Sequence, residues 1–330
     1  MAPNLKDIMA SQDFGETFYM VDSDYSTTGW TQSDGTGPLD LFNERNPNRV
    51  FMTPGGTTTV AGATDAAAIQ AAQDQMVSLR GDILYFCPGT YTPATAIAMN
   101  KADARWMGSR RRRGQSASLV AGVAAALSPT AAADNMEIAY LRLVPLTAAI
   151  MLSRPAGVDN MWLHDFTYDG RGITASTATI FMKDTGACLA TTFEDFLMRT
   201  NTAIGPFYQV AASSIGGIMQ NWIHMHTANT LVTSLYETIS GGAGATGMVI
   251  GPGHVQIGGG GVVTNLGAQI DMTANGTNAT LRNITTSVAG ATTALGWEAA
   301  TGVAGEGDIV NSWVATVAGG AGRAALVGTT

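Results

Sequence analysis

The segment "RGDILYFCPGTYTP", residues 80–93, decides how this chain folds. Ile83, Leu84, Tyr85, Phe86 and Cys87 form an apolar, β-prone run. The run stops at Pro88-Gly89, where the chain turns, and a short strand restarts at Thr90-Tyr91-Thr92. Upstream, "TDAAAIQAAQDQMVSL" (64–79) predicts a helix. Thr64 can cap it, Asp65 complements its dipole, and Ile69, Ala72, Met76 and Leu79 share one face, with Gly81 as the stop. A half-apolar helix of this length must lie on a core. An end cap over an open stack of strands suits it, because exposed strand edges need covering.

The composition narrows what the rest can be. Of 330 residues only 13% are charged, against a usual share of roughly 25%, and 45% are hydrophobic. No run reaches the roughly 20 apolar residues of a membrane helix, so no membrane partner is expected. A surface this poor in charge is expected to face other protein. The net charge of −8 argues against general nucleic-acid binding. Cys87, inside an apolar run, reads as a buried free thiol, and with Cys188 about a hundred residues away the chain is no disulfide framework. The start, "MAPNLKDIMASQDFGETF", lacks a basic stretch followed by an apolar one, so no Sec-type export is expected. Sequons at Asn275, Asn278 and Asn283 fall in a Thr-rich stretch and read as chance.

Residues 1–60 read as an arm and an irregular first layer, with Phe14, Phe18, Tyr19, Tyr25, Trp30, Phe42 and Phe51 as anchors among Gly, Asn and Pro. Residues 61–330 form the main domain. A repeat runs through it: large apolar, any residue, mostly Asp or Asn, large apolar. It occurs at Ile138–Leu141, Leu163–Phe166, Phe193–Phe196, Met219–Trp222 and Leu281–Ile284. The last members lie 25, 30, 26 and 62 residues apart, and the long gap has room for one more unit around "GMVIGPGHVQIG". Such a period marks stacked units. Short strands broken by Gly, Asn and Asp, with no intervening amphipathic helices, predict an all-β chain wound as a parallel β-helix. Phe166, Phe196 and Trp222 would then pile into an internal ladder, with Asp or Asn at the turn beside them.

"TDAAAIQAAQDQM", "GDILYFCPGTYT" and "ARWMG" together resemble the N-terminal start of the pectin-lyase-like β-helix superfamily, and "DGTGPLDLFNERNP" looks like its lead-in. The clear match covers about 64–108. It implies a single right-handed parallel β-helix with an N-terminal capping helix, and it specifies fold better than activity. The low-charge Gly/Ala/Thr body is most similar to phage virion-surface β-helix proteins. This resemblance implies a capsid decoration protein, made in the host cytoplasm and carried on the virion. Its expected partners are the major capsid protein and further copies of itself, as a homotrimer, with no cofactor. The alternative is a tailspike or depolymerase that binds or cleaves host polysaccharide.

A sugar-cleaving β-helix needs paired carboxylates on its outer face. The repeat sets Asp165 beside Asp195 and His164 beside Glu194, which makes these four the catalytic candidates. Asn221 and Asn283 fill the same column, and Asn cannot act as a general acid or base, so the column reads as structural and the chain as a non-enzyme. His224 and His226 share a strand face but show no third ligand, so no metal is expected. Arg110, Arg111, Arg112 and Arg113 form the one basic run. They read either as a solvated loop or as a clamp on an acidic partner. With Phe14, Phe18 and Tyr19 they are the partner-binding candidates. The Gly-rich stretches lack the strand–loop–helix setting of a nucleotide site.

Overall fold

The computed structural model describes residues 49–52, 65–76, 78–79, 81–86, 89–108, 117–121, 126–145, 150–172, 179–202, 204–210, 214–228, 235–238, 245–258, 270–272, 276–288, 296–299, 307–310, 316–319 and 324–327. Its strands form three parallel sheets of 11, 8 and 9 strands, here sheets A, B and C. Each strand pairs with the one a full coil later: Ile83 lies opposite Arg105, and Trp162 lies between Glu137 and Thr192. The chain is a parallel β-helix that from Ile83 to Ala299 visits A, then B, then C in each coil. Among the described residues no helix is long and apolar enough to cross a membrane.

Residues Ile83–Phe86, Gly89–Tyr91 and Arg105–Gly108 are strands, where the opening segment and "ARWMG" place them. Arg49–Met52, inside the stretch read as irregular, is a regular strand and starts sheet A by pairing with Ile83–Phe86. Its sequence, RVFM, is itself β-prone.

The helix spans Asp65–Gln75, shorter than the periodicity suggests. Ile69, Ala72 and Met76 are buried, but Leu79 is 73% exposed and takes φ +65°. Apolar spacing carried the helix one turn too far, and Leu79 already belongs to the first coil corner. The Gln70 amide accepts from Ala98 N at 2.7 Å and donates to Ala98 O at 3.2 Å. That side chain acts as a surrogate strand on the open edge of sheet C. Gln73 Oε1 accepts from the buried Trp106 indole at 2.6 Å. Both glutamines thus explain why a cap helix carries amides on its core side.

Two of the three corners turn on one left-handed residue. Between A and B it is Tyr140, Asp165, Asp195, Asn221 and Asn283, with φ of +57°, +49°, +50°, +53° and +49°. Between C and A it is Leu79, Asp103, Asn135, Asn160, Ala190 and Gly216, with φ from +45° to +70°. Asn and Asp tolerate this conformation better than other L-residues. At the A–B corner the conformation, more than a side-chain bond to the turn, explains the column. Corner N–H groups donate to the next coil, as Asp165 N does to Glu194 O at 3.1 Å and Asn160 N to Leu189 O at 3.0 Å. At the C–A corner side chains also stack: Asn135 donates to Asp103 at 2.9 Å and Asn160 to Asn135 at 3.1 Å.

Inside, Phe166, Phe196 and Trp222 are buried, as the repeat requires. The Phe166 and Phe196 rings stack at 5.2 Å and 10°, and Phe181 and Phe207 stack opposite them at 4.6 Å and 16°. These separations bracket the roughly 4.8 Å strand spacing, so the rings follow the coils. The extra unit in the long gap exists as the strands Ala245–Ile250 and Gly253–Ile257. Gly253 lies opposite Trp222, and a Cβ there would overlap the indole ring.

Candidate functional site

His164, Asp165, Glu194 and Asp195 do come together, on the outer face of sheet A beside the A–B corner. His164 lies opposite Glu194 in the pairing of neighbouring strands. The strand geometry that turns Leu163 and Phe193 inward turns His164 and Glu194 outward. The repeat pattern missed a fifth member, Glu137, which sits just before the first repeat unit. His164 Nε2 bonds Glu137 Oε1 at 2.9 Å and Nδ1 bonds Asp165 Oδ2 at 3.0 Å. Arg105 Nε lies 3.3 Å from Glu137. Glu194 accepts from Gln220 at 2.8 Å. The Trp162 ring, 41% exposed, stacks on the imidazole at 4.1 Å, and Tyr140 meets it edge-on at 5.6 Å.

Electrostatics follow from this geometry. Burial of His164 pulls its pKa down, but the hydrogen bonds and charges of Glu137 and Asp165 outweigh that and raise it above 6.5. The charged form can donate from both ring nitrogens at once, one to each carboxylate. Asp195 is pushed up by burial, then by the Asp165 and Glu194 charges, against a hydrogen bond from Asn221. The cluster therefore holds an excess of negative charge. Both imidazole nitrogens are directed at protein carboxylates, so the ring has no proton position turned toward a substrate.

A second charged group lies on the outer face of sheet B. Asp169 accepts from Arg142 at 3.2 and 2.8 Å and from Arg171 at 2.8 and 2.7 Å. Burial would raise its pKa, but the two guanidiniums win and hold it at about 2. Arg199 sits opposite Asp169 on the next strand. No sequence pattern flagged these four residues, because they are dispersed over three coils.

Several inward polar groups find partners within the fold. His224 and His226 face the interior, where the Thr200 hydroxyl bonds them at 2.9 and 2.8 Å. Arg154 forms a buried bidentate pair with Asp184, 2.7 Å for each bond, joined by Tyr208 and Ser214. Burial pushes the Cys188 thiol up to about 12, so it stays protonated. Among the described residues no group of three His, Cys, Asp or Glu could hold a metal ion. Phe14, Phe18, Tyr19, Arg110–Arg113 and Cys87 lie outside the described residues.

No protein-family profile matches this chain, and no curated protein does. Among solved structures, it is similar to ORF18 of Geobacillus virus E2, at 12% identity and a TM-score of 0.38, covering 86% of this chain. The chain spans 62% of the length of that protein. It is also similar to the A-module of the mannuronan C-5 epimerase AlgE4 of Azotobacter vinelandii, at 13% identity and a TM-score of 0.32. That match covers 83% of this chain and 95% of the module. Neither likeness bears on activity. The sheet order and register themselves establish the architecture as the parallel β-helix that the N-terminal motifs resemble.

Proposed function

We propose that this chain is a structural protein of a phage virion, a decoration protein that binds the major capsid protein and further copies of itself. The observation that supports it is a band of large apolar side chains on the outer faces of neighbouring coils. Trp162 and Ile218 project from sheet A, Ile223 from sheet B, and Leu189 and Ile215 from the start of sheet A strands, each 40–55% exposed. Strand pairing places Leu189 opposite Ile215, and Thr192 between Trp162 and Ile218. Exposed apolar side chains on neighbouring coils of a chain with 13% charged residues fit a surface that works by burial against protein.

On this reading Asp165 and Asp195 shape the corner, and His164 fastens adjacent coils together. The alternative, a polysaccharide-binding or cleaving spike, draws on the exposed Trp162 beside carboxylates. One experiment separates the two. Purified chain is mixed with undecorated capsids and co-sedimented, and the same sample is assayed for release of reducing ends from host capsule. Saturable particle binding without turnover supports decoration; turnover without particle binding overturns it. Replacing Arg110–Arg113 with Ser should weaken particle binding in a salt-dependent way if that run clamps the coat.

A further inference from the structure

We propose that copies of this chain associate through unlike faces, the arginine patch on sheet B of one copy seating on the carboxylate patch on sheet A of the next. This deepens the self-association in the function proposed above and rests on that reading. The two patches are opposite in sign. On sheet B, two guanidiniums clamp one carboxylate and a third arginine, Arg199, sits opposite it on the next strand. The side chains of Arg142 and Arg171 are each 42% exposed, while that of Asp169 is 3% exposed. Asp169 fixes the two guanidinium planes and leaves their outer edges to solvent. Arg199 points outward between buried Met198 and Thr200, and among the described residues no carboxylate pairs with it. On sheet A, Glu137, Asp165, Glu194 and Asp195 stand against Arg105 and His164.

The patches also match in height. Glu137 and Arg142 belong to one coil, joined through the Tyr140 corner. His164 and Asp169 belong to the next, through Asp165, and Glu194 and Arg199 to the third, through Asp195. Each patch therefore spans the same three levels on either side of one corner column. A second copy rotated about an axis parallel to the coil, with no slide along it, brings all three levels into register. Rotation without translation keeps the copies level, and it closes into a ring when the angle divides a full turn.

Like faces cannot meet in this way. Sheet B on sheet B would set arginine against arginine, and sheet A on sheet A would set carboxylate against carboxylate. Apolar side chains flank both patches: Trp162 and Ile218 on one, Ile223 on the other. An apolar centre with arginine beside it is the usual anatomy of a protein interface. Bidentate guanidinium–carboxylate contacts would fix the register.

The test uses the full chain and two variants with strand-compatible changes, R199E on sheet B and E194R on sheet A. Molar mass is read by light scattering, and the fold is checked by circular dichroism. Wild type should show a closed oligomer, and each variant alone should run at the mass of one chain. Mixed one to one, the variants restore both contacts, Glu194 to Arg199 in one direction and the exchanged charge pair in the other, and should assemble where neither does alone. The double variant R199E/E194R should recover the wild-type mass, because the charge pair is merely exchanged. A monomeric wild type at high concentration, or single variants that assemble like wild type, would overturn the proposal. Capsid co-sedimentation is scored separately. A monomer that still decorates particles leaves the function standing without this contact, and a ring that ignores particles does the reverse.

Discussion

The A–B and C–A corners use the same backbone device and build it from different chemistry. At A–B the residue after the turn is large: Leu141, Phe166, Phe196, Trp222 and Ile284, all buried. At C–A the residue after the turn is Ala104, Met136, Met161, Thr191 or Gly217. The first corner is backed by a rigid aromatic stack. The second is backed by small or pliable groups and relies on its Asp103–Asn135–Asn160 side-chain ladder. A left-handed turn can therefore be imposed either by packing beneath it or by hydrogen bonding along it. Leu79, Ala190 and Gly216, at the C–A corner, stand outside that ladder.

The largest test of this contrast is in the core. Phe196→Ala should cost about 3–5 kcal/mol, and Met161→Ala, at the softer corner, about 2 kcal/mol, read by denaturant melts. Equal losses would mean that the two corners are supported alike.

Next is the surface clasp across the A–B corner. The folded pKa of His164 is raised above its unfolded value of 6.5. The stability it contributes is thus fully present below pH 6.5 and is lost as pH rises through the folded pKa. H164Q should lose about 1.5 kcal/mol at pH 5.5 and less at pH 8.5. The groups facing this ring are Glu137, Asp165, Trp162 and Tyr140, with the charges of Arg105, Glu194 and Asp195 close by. A mutant deficit that does not shrink across that range would remove the imidazolium from the account.

A smaller effect lies at the C–A corner. Ala190 holds φ +45° with a Cβ that gains nothing there, so Ala190→Gly should stabilise by about 1 kcal/mol. Asn160→Ala should destabilise by a similar amount, and thermal melts of the pair would show whether the ladder or the backbone sets that turn. The smallest expected effect is Asp195→Asn, within about 0.5 kcal/mol, because Asn221 and Asn283 already occupy that column. A large loss of any sugar-cleaving rate in this variant would instead assign Asp195 to chemistry.

The same contrast explains what the sequence made legible. The A–B column could be read because each of its turns sits between two large apolar residues, which stand out at a coil-length period. The C–A column could not, because Leu79, Asp103, Asn135, Asn160, Ala190 and Gly216 share a conformation and no chemical class. Leu79 was drawn into the helix by apolar spacing alone. At the candidate site, His164, Asp165, Glu194 and Asp195 emerged from the repeat. Glu137 and Trp162 lie one position outside its window. The Arg142–Asp169–Arg171 group becomes a group only once coils are stacked, since its members come from two strands and a turn.

Trp222 and Gly253 carry a consequence for how this chain can change over generations. The indole fills the space that a side chain at position 253 would occupy, so the two positions form one inherited unit. Enlarging Gly253 while Trp222 stays should be lethal to the coil, and shrinking Trp222 first leaves a hole. Only a paired exchange, with the bulk moved down one rung, keeps the stack filled. In relatives of this chain, a bulky residue at one position should therefore accompany a small one at the other.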